Sequence, residues 1–439
     1  MRRPSGLPFL AILTASILFS SPLGAQSIYS SYGGWLNNQG MVTGGIGIAT
    51  IEGQSYFTMN LRPELAFGKF GAGLDVTLRF DADTGDLRNE DWDSSYDYFR
   101  MLRYVRYGFK QNPEPFYTRL GALDNARLGH GFIMNYYNNQ LIYDQRKLGL
   151  EFDYDFGIGG FELMTNNLGR AEIFGGRLYY RPLQLITQTP ILKNFAIGAT
   201  YATDIDPDAK RKTKNRVSVF GFDAELPIIK TPISKLALYG DVAKINGYGS
   251  GQAVGIEFQL FNLSGLVNFG AQLERRFLGK RFLPSYFGPF YELERSDPDS
   301  NRTDQLNAKI ASTRGIYGRL FGSVLNVINL LGSYERTDGV PRSGLLHVEA
   351  SIPNTVPSFA ARASYDDRAV DKFSDVFKMD ENSAARVGLG YKMTPYLIMY
   401  LDYVWTFEPD PARPGAFRVQ KRFEPQLALS FTFPVGGGR

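Results

Sequence analysis

The chain has 439 residues, 44% of them hydrophobic and 14% aromatic, with 33 Phe, 26 Tyr and no Cys. Its mean hydropathy is −0.21, so apolar residues are interspersed rather than massed, and no internal run approaches the roughly 18 apolar residues of a transmembrane helix. The 48 basic side chains nearly balance 44 acidic ones, which gives no nucleic-acid signal, and the lack of Cys excludes disulfides, thiolate chemistry and Cys-built metal sites.

At the N-terminus, Arg2 and Arg3 precede an apolar run at 7–19 and the small-residue stretch SPLGAQS. This is the pattern of a secretory signal peptide. Cleavage after Ala25 is expected, leaving 26–439 as one mature domain.

Beyond that point the dominant period is 2. In 56–67, Phe57, Met59, Leu61, Pro63, Leu65 and Phe67 share one parity, and Tyr56, Thr58, Asn60, Arg62 and Glu64 the other. The same alternation runs through GLDVTLRFDAD (73–83), KLGLEFDYDF (147–156), NFAIGATYATD (194–204) and AVGIEFQL (253–260). It continues in VNFGAQLE, LLHVEASI, YLIMYLDYVWTF and the final QLALSFTFPV. Segments of about ten residues suit tilted strands that cross a hydrocarbon core, whereas strands of soluble sandwiches are nearer five or six.

The connections alternate as well. Tight turns at 68–71, 112–115, 156–159 and 393–395 contrast with long polar stretches at 81–97, 124–146, 204–214, 368–383 and 408–423. Pro284 and Pro289 each lack a ladder donor, so 278–306 reads as one long loop. The count is then about 20 strands (18–22), all-β, with both termini on the short-turn side. Pro63 is anomalous within a closed ladder, and a bulge is expected there.

On this architecture, and without any specific motif, the whole of 26–439 resembles a bacterial outer-membrane β-barrel of the porin type. The resemblance implies a transmembrane antiparallel up-and-down barrel in the outer membrane, surrounded by its lipid and passing small hydrophilic solutes or ions through a charged lumen. The competing fold is a soluble sandwich or lipocalin-like barrel with the apolar parity inside. About 20 strands would enclose more space than side chains fill, and the polar parity is too densely charged for a dry core.

With the apolar parity outward, the lumen parity supplies the candidate residues. Arg62, Arg79, Arg100, Arg106 and Lys110 would form a basic ladder on one wall, with Glu64 and Asp75 among them. Glu151, Asp153 and Asp155, or the acidic stretch DADTGDLRNEDWD, would supply opposing charge. An ordinary solvated wall is the alternative for each. Arg103 falls on the apolar parity, where it would cost about 2–4 kcal/mol at the midplane, so a bulge or an interfacial depth is expected there. Tyr403, Trp405 and Phe407 suit an aromatic girdle.

Loop 124–146 carries Arg127, His130, Phe132, Ile133, Met134, Tyr136 and Tyr137. An apolar cluster of this kind must pack somewhere. Constriction of the lumen, capping of the rim and contact with a neighbouring subunit all remain open, the last leaving room for a homo-oligomer. Loop 278–306 is a second candidate for the same role. His130 and His347 are the only histidines and stand in no recognisable array with Ser or Asp, so no enzyme, cofactor or metal site is expected. The functional alternative to a pore is a plugged barrel, carrying apolar or lipid cargo or serving as a scaffold in outer-membrane secretion.

Overall fold

The computed structural model describes residues 39–434, except 52, 109–114, 124, 143–144, 211–214, 232, 264–266, 300, 326, 353–355, 357 and 377. The signal peptide and Lys110 therefore lie outside the described residues. The strands are β1 (Gln39–Ile51), β2 (Gln54–Phe67), β3 (Phe70–Leu74), β4 (Val76–Asp81), β5 (Leu102–Tyr107), β6 (Phe116–Gly121) and β7 (Gly149–Asp155). Next come β8 (Gly159–Thr165), β9 (Ile173–Tyr180), β10 (Ala196–Asp204), β11 (Val217–Lys230), β12 (Ser234–Ile245), β13 (Ser250–Leu263) and β14 (Val267–Leu278). The last are β15 (Thr313–Val324), β16 (Ile328–Thr337), β17 (Gly344–Ile352), β18 (Phe359–Val370), β19 (Ser383–Lys392), β20 (Leu397–Pro409) and β21 (Phe417–Pro434). Among the described residues three short α-helices, α1 (Ser95–Arg100), α2 (Tyr291–Glu294) and α3 (Arg302–Ala308), sit in connections.

Successive strands pair antiparallel, and β21 returns to β1 with Gly44 opposite Leu429. β3 and β4 are two halves of one strand, so the ring contains 20 strands. Closure of β21 on β1 leaves the sheet with no open end, the condition for spanning a bilayer with sheet. Parity divides the two faces. Phe57 is 56% exposed and Met59 53%, whereas Thr58, Asn60 and Glu64 between and beyond them are buried. The apolar set faces outward and the polar set faces the lumen, as in the sequence reading. A closed ring with an apolar exterior and a charged interior is a transmembrane β-barrel of the bacterial outer membrane.

Prolines within strands sit where pairing lapses. Pro63 pairs with Val42 of β1 in unbroken register, but on its other side the strand breaks between β3 and β4, and Asp75 N–H donates instead to Met101 O at 2.8 Å. The missing proline donor is thus accommodated by a break in the partner strand rather than by a bulge at Pro63. The bulge lies one strand further on. Gly73 pairs with Tyr104 and Leu74 with Leu102, which leaves Arg103 as the extra residue. Its side chain turns inward, with Nη1 3.9 Å from Glu64 Oε2, and the parity conflict at Arg103 disappears.

Two long connections fold back inside the ring. Residues 122–148 join β6 to β7, and 279–312 join β14 to β15. They meet along a short parallel contact: Ser285 N donates to Phe132 O at 2.8 Å, and Asn135 N to Phe287 O at 3.1 Å. Leu128, Phe132, Met134, Tyr137, Phe282, Phe287 and Tyr291 are buried in one apolar cluster. Inward-facing Ala202, Val217, Val219, Ile245 and Leu278 at the outer ends of β10–β14 complete that cluster. Each fully buried large apolar side chain contributes about 1.5–3 kcal/mol, so this plug is a second core held by the barrel wall. Trp405 and Phe407 are also buried. Trp405 Nε1 donates to Asp380 O at 3.2 Å, beneath the β18–β19 connection, and Phe407 shares an apolar cluster with Leu141, Phe290 and Leu293 of the two inner connections, so neither ring forms a lipid-facing girdle.

Candidate lumen site

Ring closure places β18–β21 beside β1–β5, and arginines far apart in sequence converge there. Arg62, Arg79, Arg103, Arg146, Arg362, Arg386 and Arg422 line one lumen cavity of about 110 Å³, facing three carboxylates, Asp75, Asp402 and Glu424. Arg79 Nη2 lies 2.7 Å from Glu424 Oε1, and its Nη1 lies 3.0 Å from Asp91 of the acidic stretch. Arg62 Nε is 3.2 Å from Asp75, and Arg362 Nη2 is 3.1 Å from Asp402. Arg386 and Arg422 stand in one row across three strands, each opposite Val404 of β20. With seven guanidiniums against three carboxylates, the lining carries excess positive charge. Arg386 Nη2 also donates to Gln140 O at 2.8 Å, which ties this wall to the plug.

The opposite side of the ring is acidic. Glu225, Asp241, Glu257 and Glu274 occupy inward positions on β11–β14, about half a turn from the β1–β21 junction. The plug rests on this wall. His130 stacks on Tyr239 with ring centroids 4.0 Å apart, and its nitrogens lie 3.2 Å from Glu225 and 3.2 Å from Asp241. Arg127 Nη2 donates to Gln272 Oε1 at 2.8 Å. Lys235 Nζ bridges Glu225 and Glu257 at 2.9 and 3.5 Å. Charge buried at this depth persists only with such partners.

Tyr136 stacks on His347 with centroids 4.2 Å apart. It does so at φ 51°, a left-handed conformation that costs a bulky residue about 1–3 kcal/mol, so the surrounding contacts must outweigh that cost. Tyr137 donates its phenol to Glu292, which Lys147 also engages at 2.6 Å. Arg295 joins Glu172 at 2.7 Å and Asp204 at 3.1 Å. These bonds fasten the second connection to Glu172 just before β9, to the end of β10 and to the first connection.

Arg62, Asp75 and Arg79 share the cavity. Arg106 is buried at the short-turn end, its Nη1 donating to Gly108 O at 3.1 Å. Arg100 is not on a strand: it ends α1 and pairs with Asp97 at 2.5 Å. The helix had a signal in the sequence, because Asp97 accepts from Ser94 N and Oγ, both at 2.8 Å, in a capping arrangement. Glu151 and Asp153 lie on β7, away from the cavity; Glu151 accepts from Tyr117 Oη at 3.3 Å. Asp155 is paired with Arg181 at 2.7 Å. Arg127, His130, Phe132, Tyr136 and Tyr137 are all buried in the plug.

The fold and its two charged walls define the class as an outer-membrane β-barrel with porin-like architecture. No protein-family model matches the sequence, and no curated protein matches it. Among solved structures the chain is similar to a ferric enterobactin receptor, PfeA, at 8% identity and TM-score 0.36, covering 89% of this chain and 81% of that one. It is also similar to Pseudomonas aeruginosa OpdK with vanillate, at 9% identity and TM-score 0.32, over 90% of this chain and 98% of that one. Acinetobacter baumannii OccAB2 matches at 10% identity and TM-score 0.30, over 90% and 98%. The class assignment rests on the chain's own strands.

Proposed function

We propose that the protein is a narrow outer-membrane channel whose remaining passage runs along the arginine wall and favours small anionic solutes. The observation that carries this reading is the pairing of plug and void. The plug is anchored on the acidic wall through His130 and Arg127, and the cavity it leaves is lined by seven arginines. Positive charge on a confined wall raises local anion concentration. Purified protein added to a planar bilayer is expected to give small stepwise currents with anion preference. A barrel that inserts but carries no current overturns the proposal.

A second reading, a plugged barrel for apolar cargo or secretion scaffolding, draws on the apolar cluster inside the ring. Its mark is a co-purifying lipid or partner together with absent ion current.

A further inference from the structure

On the lipid-facing side of β11–β16 two depressions follow one another along overlapping sets of strands. The outer one, about 810 Å³, is walled by Phe220, Phe222, Val242 and Phe277 and rimmed by Lys244 and Arg314. The inner one, about 640 Å³, is lined by Leu238, Val254, Ile256, Leu273 and Ile316. Glycine helps to open this furrow. A Cβ on Gly240 would meet only Ala253 O, at 3.6 Å, and one on Gly318 would come no closer than 3.4 Å to Leu273. The backbone therefore does not demand glycine at either position, and what glycine supplies is a missing side chain.

The outer mouth carries more positive than negative charge, Asp338 being the one carboxylate among its described lining residues. Lys244, Arg275, Arg314 and Arg336 all fall on the outward parity of β12, β14, β15 and β16, near the long-loop ends. Arg275 is matched by Asp338 at 2.6 Å and Arg336 by Asp371 at 3.5 Å. Lys244 and Arg314, which border the furrow, have no carboxylate partner within 4 Å among the described residues. Cations facing lipid at the interface attract anionic headgroups, and an apolar furrow below them suits an acyl chain.

From this geometry we infer a specific lipid site: an outer-leaflet lipid with a phosphate-bearing headgroup sets that phosphate between Lys244 and Arg314 and lays an acyl chain along the furrow past Gly240 toward Leu273. The site is independent of whether the lumen conducts. The test uses the refolded barrel in detergent micelles, with diphosphorylated lipid A as the probe and native mass spectrometry as the readout. One retained lipid per barrel is expected. The Lys244→Ala/Arg314→Ala variant should lose at least tenfold in retention, while Lys421→Ala, a cation packed on Trp405 elsewhere on the ring, should lose none. Gly240→Val and Gly318→Val, tested singly with both cations intact, should also weaken retention by filling the furrow. Equal retention by the double alanine variant, equal retention of dephosphorylated lipid, inorganic phosphate displacing the lipid on its own, or a dimer mass in place of the lipid adduct would each overturn the assignment. The charge arm stands even if a valine variant fails to fold.

Discussion

Replacing Arg386 and Arg422 by glutamine tests the anion-preferring wall directly, because the pair flanks Val404 on one row of the cavity. A cavity of about 110 Å³ corresponds to a radius of about 3 Å, and contact distance to the lining adds about 3 Å, which puts an ion roughly 6 Å from each guanidinium. In an aqueous dielectric each then attracts a monovalent anion by about 0.7 kcal/mol, nearly halved by 0.1 M salt. Removing both costs an anion about 0.8 kcal/mol and relieves a cation by the same amount. The anion-to-cation ratio should therefore fall by about tenfold, and a lower local dielectric enlarges the change. The assay is the zero-current potential across a planar bilayer under a salt gradient, with heat-modifiable gel mobility confirming that the barrel is folded. An unchanged ratio in a folded, conducting variant would refute the reasoning.

Other outcomes follow from the same geometry. Leu320→Arg, on the outward face of β15 where Leu320 is 55% exposed, should cost about 2–4 kcal/mol near the midplane, read as a lower midpoint in urea unfolding from vesicles; free tolerance would mean the two faces have been assigned the wrong way round. Deleting 126–141 should raise single-channel conductance severalfold, and an unchanged value would place the plug outside the conduction path. Tyr137→Phe removes one donor from buried Glu292, for about 1–3 kcal/mol; limited proteolysis should then cut the first inner loop faster, whereas equal rates would mean that bond does not hold it. His130→Ala leaves Glu225 and Asp241 without their shared partner and should loosen the same loop, again by proteolysis, with the strand ladder unchanged in far-ultraviolet circular dichroism.

Much of the wall was legible because alternation encodes it: Phe57, Met59 and Leu61 announced their outward direction without any tertiary information. The aromatic content of 124–146 likewise announced a loop with somewhere to pack. Three features were not legible, for separate physical reasons. Arg103 reads as outward until a bulge adds one residue and reverses parity. Val217, Val219 and Ile245 are apolar yet inward, because they receive the plug, and periodicity distinguishes two faces without naming what each face meets. Arg362, Arg386 and Arg422 join Arg62 and Arg79 only through the pairing of β21 with β1, and that pairing leaves no local trace in the chain. The acidic wall could have been found by carrying the inward parity through Glu225, Asp241, Glu257 and Glu274; Glu257 sits plainly between Ile256 and Phe258.

The junction of the two chain ends also governs when the site comes into being. Arg79 and Glu424 are separated by 345 residues, and Asn60 reaches Gln426 across a gap of 366. Contacts of such separation carry a large loop-closure cost unless the intervening strands are already paired. Until the final hairpin docks against the first, the arginines form two unconnected groups on open sheet edges, with no enclosed space between them. The barrel thus has no half-built version of its charged cavity. Whatever that cavity binds or passes reports that the ring has shut.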